Sequence, residues 1–228
     1  MNQLYSMNLR FLTKEQRKII NNIKIKREYK LVTTKTDNLT IQVKLNNGKK
    51  IYLHSKYRPE KEAKEYIDRY NLTNIKYIVL IGFGFGYYAK EILSRISKNQ
   101  KLKIVIISPD IFKLALKNKK IGEILNDNRV EIILASKPKN LVNELLGILF
   151  NENNSKLVYK RQFIRVISER FDFLRDILER IWINKQNNKQ QKSQITKNIN
   201  KNLKYVVNNI GIKEFKGKFN EEPVFVIS

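Results

Sequence analysis

The sequence contains no cysteine and a single histidine, His54, among its 228 residues. Disulfide bonds and thiolate metal sites are therefore excluded, and so is any metal centre that needs several histidines. Carboxylate sites for Mg²⁺ or Ca²⁺ stay open, but no acidic residues cluster at the spacing of a ligand set. We therefore expect no metal site.

A secretory signal is also lacking, because no charged start is followed by an apolar core. The longest apolar run, around residues 77–89, is too short and too rich in glycine to cross a bilayer. These two features predict a cytoplasmic protein without a membrane span.

Acidic residues are few relative to basic ones: 21 Asp and Glu stand against 46 Lys and Arg, which gives a net charge of +25. Such a charge attracts nucleic acids in general. However, the basic residues are spread along the chain, with no arginine-rich tract and no aromatic-interleaved signature of an RNA-binding module. A sequence rich in lysine, asparagine and isoleucine also results from biased codon usage, so we expect no specific nucleic-acid partner.

The first part of the chain predicts a helix and a hairpin. Residues 8–30 have apolar residues near helical spacing, with Thr13 as a candidate N-cap. Residues 39–54 alternate apolar and polar side chains on both sides of an Asn-Gly turn at Gly48, which is typical of a β-hairpin. Pro59 then stands at a favourable first position for another helix.

From residue 76 the pattern changes to that of an α/β domain. Its apolar runs are continuous, as expected for parallel strands that are buried on both faces, and right-handed βαβ connections follow from this arrangement. We predict strands at 77–81, 103–107 and 130–134, and helices at about 87–98, 111–126 and 139–150.

The last part of the sequence, from residue 157 to about 207, has the apolar spacing of long helices. Basic residues such as Lys160, Arg161 and Arg165 alternate there with acidic ones, which predicts a solvated, ion-paired face. The final run, 224–227, reads as the start of a buried strand, so we expect the chain to be part of a longer protein.

Together these patterns predict an α/β fold: a Rossmann-like, mainly parallel sheet, preceded by a small subdomain with a β-hairpin and followed by long helices. The predicted division is 1–72 for the helix and hairpin subdomain, 73–156 for the α/β core, 157–222 for the helical segment, and 223–228 for the first strand of a missing domain.

The glycine turn after the first α/β strand, Gly82, Gly84 and Gly86, is the first candidate binding site. A dinucleotide fingerprint needs its third glycine at position 87, where this chain has Tyr87. Backbone N–H groups at such a turn can hold an anion. A tight structural turn is the interpretation that we favour.

The spacing of these glycines resembles the first motif of S-adenosylmethionine-dependent methyltransferases. That family carries acidic residues where this chain has Leu80 and Ser108. Asp110, two residues farther on, is at best a displaced substitute. Both carboxylates that would hold the cofactor are therefore missing, and we predict no tight binding of S-adenosylmethionine.

The second candidate site is the segment that contains His54, Lys56 and Arg58. These residues would suit a phosphate or carboxylate clamp, with His54 carrying a proton. The alternative is that Ser55 or its neighbours cap the next helix while His54 packs at a junction. No catalytic partner is evident in the sequence, so we favour packing, and we expect Tyr87 and the next residue, Tyr88, in the core or at an interface.

Several stretches together resemble a known family: LHSKYRPEKEA, the glycine turn with its two tyrosines, IVIISPDIFKLAL and the closing EEPVFVIS. They look like the N-terminal region of motility accessory factor (Maf) glycosyltransferases, whose central domain is similar to the MptE-type pterin pyrophosphokinase. The resemblance runs from about residue 35 to the C-terminus. Relatives commonly carry glutamate where Ser108 stands.

The resemblance implies an enzyme of the bacterial flagellum that transfers a nonulosonic sugar, such as pseudaminic or legionaminic acid, from a CMP-activated donor to flagellin serine or threonine. The sugar donor would bind to a catalytic domain of the same polypeptide, outside this sequence. This chain would then hold no cofactor and would position the catalytic domain or recognise flagellin. A divergent methyltransferase-like protein and a basic nucleic-acid-binding accessory domain remain as alternatives.

Overall fold

The computed structural model describes residues 2–25, 28–45, 47–134 and 154–166, and the single positions 141 and 176. The first elements are three short helices and a small three-stranded sheet. Their bounds are α1 Gln3–Leu9, α2 Lys14–Asn22, β1 Tyr29–Thr33, β2 Leu39–Lys44, β3 Lys50–Tyr52 and α3 Pro59–Ile67.

The helix predicted within residues 8–30 is present but shorter. Thr13 caps α2 as expected: its hydroxyl accepts a hydrogen bond from the N–H of Gln16 at 3.2 Å, and the Gln16 side chain bonds back to the N–H of Thr13. At Ile23 the backbone is extended, which ends the helix. Helix α1 precedes it and was not predicted.

The predicted hairpin is confirmed, with Val43 opposite Ile51 in an antiparallel pair. Strand β1 adds a third strand, antiparallel to β2, that the sequence did not reveal. Ile41 and Val43 of the central strand are buried. The buried apolar side chains of this sheet therefore belong to β2.

The second group of elements forms the α/β core, and all four of its strands are parallel, in the order β6-β5-β4-β7. The strand Tyr77–Ile81 is buried from Ile78 onward, as its continuous apolar sequence predicts, whereas Glu131 is exposed in the edge strand Val130–Ile133. The bounds are β4 Tyr77–Ile81, α4 Tyr87–Leu93, β5 Lys101–Val105, α5 Pro109–Asn118, α6 Gly122–Leu125, β6 Val130–Ile133, β7 Ser155–Tyr159 and α7 Arg161–Arg165.

Two predicted helices in this core differ from the structure. The helix expected over 111–126 is two helices, because the backbone is extended at Lys119. The helix expected from residue 157 is wrong at its start, since residues up to Tyr159 form β7 beside β4. The helix predicted at 139–150 and most of the helical segment after 166 lie outside the described residues, as does the strand predicted at 224–227.

The strand order creates a topological switch point between β4 and β7. Strands β5 and β6 lie on one side of β4, whereas β7 lies on the other, with Ile81 paired to both Val105 and Tyr159. In open α/β sheets, ligands bind in the crevice outside the carboxyl ends of the strands at such a point. The glycine turn directly follows β4, so it stands at this crevice.

Candidate functional site at the topological switch point

The glycine turn has an unusual backbone. Gly82, Gly84 and Gly86 have φ angles of +84°, +57° and +83°, a region that residues with a side chain rarely adopt. Phe83 and Phe85 between them are buried. The alternation therefore directs two aromatic rings into the protein while the three glycines turn the chain from β4 into α4.

His54 packs directly against this turn. It lies between β3 and α3, is 1% exposed, and accepts a hydrogen bond at its Nε2 atom from the N–H of Phe85 at 3.0 Å. Its own backbone is held by the hydroxyl of Thr40, which donates to the His54 carbonyl at 2.9 Å and accepts from its N–H at 3.1 Å. The ring is therefore a fixed part of the turn.

The absence of side chains at two of the glycines is explained by what lies against them. A Cβ atom at Gly84 would stand 2.2 Å from Nε2 of His54, and one at Gly82 would stand 2.9 Å from Cδ2 of Phe163. Phe163 belongs to α7, immediately after β7. The close approach that cofactor-binding turns reserve for phosphates is occupied here by two side chains of the chain itself.

The surroundings of His54 keep it neutral. Burial lowers its pKa well below the ordinary value of 6.5, and the positive charges of Lys160 and Lys119 lower it further. The ring lies edge-on to Tyr87, with centroids 4.9 Å apart, and edge-on to Phe163 at 5.4 Å. A proton carrier needs access to its substrate, and this buried ring has none through the residues that surround it.

An ion pair between Lys160 and Glu62 lies near His54. Lys160, which follows β7, is 8% exposed and pairs with Glu62 of α3. The second carboxylate oxygen of Glu62 accepts a hydrogen bond from the N–H of Ser55 at 2.9 Å. The pair therefore ties the segment after β7 to the His54 segment, and the prediction that Lys160 lies on a solvated face is wrong.

Tyrosines extend this buried cluster. Tyr87 and Tyr88 lie in the core, as predicted. The hydroxyl of Tyr66 donates to the carbonyl of Tyr159, and the ring of Tyr66 meets that of Tyr88 edge-on at 5.5 Å. Burial raises the pKa of Tyr66 and of Tyr88 above the ordinary value, so these hydroxyls stay protonated.

The other predicted site residues are not gathered at His54. Lys56 and Arg58 are exposed, and the Lys56 ammonium lies over the ring of Tyr57 at 5.0 Å. Ser55 does not cap α3, because its hydroxyl accepts from the N–H groups of Tyr57 and Arg58 ahead of the helix. The structure therefore assembles no clamp from this segment.

The carboxylate of Asp110, the possible substitute for a cofactor-binding acidic residue, binds other groups of the protein. Asp110, in the first turn of α5, accepts hydrogen bonds from the hydroxyl of Tyr29 and from the N–H of Ile111. It thereby holds β1 against the α/β core. Leu80 is buried within β4 and has no carboxylate. Neither Asp110 nor Leu80 therefore offers a free carboxylate to a ribose.

The space left at the crevice is small. A cavity of about 10 Å³ is lined by Gly82, Gly84 and Ser108, among others, and this is room for one water molecule. The Ser108 hydroxyl and Nδ1 of His54 are buried and have no hydrogen-bond partner among the described residues. Ser108 lines this cavity, whereas His54 does not, and the other side chains that line it are apolar.

Sequence reasoning found the glycine turn and His54 but missed Glu62, Lys160 and Phe163 as parts of this site. Across the described ranges, no group of three or more His, Asp or Glu side chains is arranged to hold a metal ion, and no helix there is long and apolar enough to cross a membrane. Comparisons of the chain with protein-family models, curated proteins and solved structures give no match.

Proposed function

We propose that this chain is the N-terminal region of a Maf-type glycosyltransferase and that its role is positioning or recognition. The parent enzyme would transfer a nonulosonic sugar from a CMP-activated donor to flagellin serine or threonine, in the cytoplasm. The stretches quoted above support the family. The packing of the switch point supports a non-catalytic role for this region.

The contact between His54 and the glycine turn is the observation that carries the non-catalytic role. Transfer to a hydroxyl needs a bound nucleotide leaving group, stabilisation of its charge and usually a positioned base. In an α/β fold these groups would converge in the crevice at the switch point. His54 and Phe163 occupy that crevice, and the ammonium group of Lys160 is paired with Glu62.

The same packing brings together two of the stretches that carry the family resemblance, LHSKYRPEKEA and the glycine turn. The stretch LHSKYRPEKEA supplies His54 and Glu62, and both of these side chains act at the crevice: His54 binds the glycine turn, while Glu62 binds Lys160. The two most specific motifs therefore form one packed unit. Such a unit is suited to a rigid scaffold that holds a neighbouring domain or a protein substrate.

The methyltransferase alternative has less support. Its cofactor would need the crevice that His54 and Phe163 fill, and carboxylates at the positions of Leu80 and Ser108. The net charge of +25 is the one feature that favours the nucleic-acid alternative, and charge of this kind reports general adhesion to polyanions.

Intact-mass spectrometry of flagellin tests the proposal. Flagellin incubated with this chain and a CMP-activated nonulosonic sugar should keep its mass, because the described residues bring no transferring groups together at the crevice. A mass gain with this chain alone, lost in the variants His54→Gln or Asp110→Asn, would place the active site in this region and overturn the non-catalytic role.

The family assignment has a separate test. Disruption of the gene in its own organism should lower the mass of flagellin by the mass of its sugars, and the intact gene supplied on a plasmid should restore it. Flagellin of unchanged mass would contradict the assignment to this glycosyltransferase family while leaving the structural role of His54 untouched.

A further inference from the structure

A second cleft, of about 500 Å³, lies beside α4. Lys90 lines it from α4, Lys119 and Lys120 from the connection between α5 and α6, and Arg129 from the segment before β6. Its volume is within the range of small-molecule binding sites. Of the three turn glycines only Gly86 borders it, so it is separate from the cavity at Gly82 and Gly84.

Lys119 is the distinctive residue of this cleft. Its ammonium lies 3.3 Å from the centroid of the Tyr87 ring, which attracts a cation through its face. Among the described residues, no carboxylate lies within ion-pair distance of this ammonium. Its pKa is lowered to about 8, mainly by burial; Glu60 opposes this effect and the charge of Lys90 adds to it.

Most of the acidic groups in the cleft already have partners. Asp127 pairs with Arg129 at 2.7 Å, and Glu60 pairs with Lys90 at 3.8 Å. What remains is Lys119, which is half-buried, together with Lys120 and Glu123, which line the cleft but are exposed. A half-buried charge is costly without a counterion, and Lys119 is the group in the cleft that lacks one among the described residues.

We propose that this cleft binds a small hydroxylated organic phosphate, such as a sugar phosphate. Lysine ammonium groups bind phosphate as point charges, so a phosphate beside Lys119 would supply its missing counterion, and Lys120 lines the same cleft. The cleft is far larger than a bare phosphate needs, which leaves room for an organic part. The Glu123 carboxylate can accept hydrogen bonds from hydroxyl groups on that part.

Calorimetric titration with ribose 5-phosphate, with neutral ribose as the matched probe, tests the proposal near neutral pH. The protein should bind ribose 5-phosphate saturably and ribose hardly at all. The variant Lys119→Met, which keeps the apolar stem over Tyr87, should weaken binding about tenfold or more. The control Lys49→Met, at an exposed lysine of the hairpin, should bind as the parent does.

Equal binding by Lys119→Met and the parent protein would overturn the proposal, and so would equal binding of ribose or no saturable binding of ribose 5-phosphate. A measurement on the unaltered protein covers the case in which the variant misfolds. Lysine acylation followed by peptide mass spectrometry should show that ribose 5-phosphate protects Lys119 and Lys120 but not Lys49. Uniform labelling with and without the phosphate would contradict the site.

Discussion

His54 accepts a hydrogen bond at Nε2 from the N–H of Phe85, 31 positions farther along the chain, at 3.0 Å. This single bond joins the segment after the hairpin to the centre of the glycine turn. It requires the Nε2 atom to be unprotonated, so the contact exists with the neutral ring. The protonation state of His54 therefore reports whether its ring still packs in the crevice.

We expect the stability of the protein to fall as the pH drops below about 6.5. The folded-state pKa of His54 is lowered, so the unfolded chain binds a proton at this ring at a pH where the folded chain does not. The contribution is complete above the ordinary value of 6.5 and declines below it, by at most about 1.4 kcal/mol per pH unit.

The variant His54→Gln separates the contribution of His54 to the pH dependence of stability from that of other titratable groups. Glutamine offers an acceptor to the N–H of Phe85 but does not titrate, and the chain has no other histidine. Urea unfolding at a series of pH values should show the decline between about pH 6.5 and 5 in the parent and not in the variant. The same slope in both proteins would contradict the burial of a neutral His54.

Substitution of Gly84 by alanine should destabilise the protein more than the same change at Gly48. Both glycines have positive φ angles, +57° and +78°, so each alanine costs about 1–2 kcal/mol of backbone strain. Only the methyl at position 84 meets an obstacle, since nothing lies within 4 Å of a Cβ atom at Gly48. Overpacking should add about 1–3 kcal/mol to the free-energy loss of Gly84→Ala.

Thermal or urea unfolding of the two glycine variants measures that difference. Equal losses of unfolding free energy for Gly84→Ala and Gly48→Ala would mean that His54 does not press against the turn in solution. Gly84 would then serve some purpose other than packing.

The ion pair between Lys160 and Glu62 predicts another contrast. Glu62→Gln leaves a buried ammonium without its counterion and should cost about 2 kcal/mol or more of unfolding free energy. Glu65→Gln is the matched control, because the Lys61–Glu65 pair on the same helix is exposed, at 3.6 Å, and is worth under about 1 kcal/mol. Similar values for the two variants in urea unfolding would show that Lys160 is solvated, as the sequence had suggested.

Local patterns predicted much of the fold. The alternation around Gly48 and the solid apolar run at 77–81 each depend on neighbours in sequence, so the hairpin and β4 were found correctly. Strand β7 was missed because SKLVY is a short apolar run beside a long helical pattern, and period alone does not distinguish the two in such a run.

The sequence located the glycine turn but did not predict which side chains pack against it. The residues that fill it, His54 and Phe163, come from segments far from the turn in the chain. Lys160 carries no sequence signal for burial, since its ion-pair partner, Glu62, is 98 positions away. Non-local packing decides whether such a turn holds a ligand or a side chain.

An NMR titration that follows the ring of His54 tests the central claim, that side chains of the protein itself fill the switch-point crevice. The only histidine gives an unambiguous ring signal, and the Phe85 N–H reports on its hydrogen bond. Without carboxylates at positions 80 and 108, S-adenosylmethionine loses about tenfold to hundredfold in affinity per missing contact. We predict that both signals stay unchanged as S-adenosylmethionine is added, whereas a saturable shift of both with a dissociation constant in the low micromolar range would contradict the account.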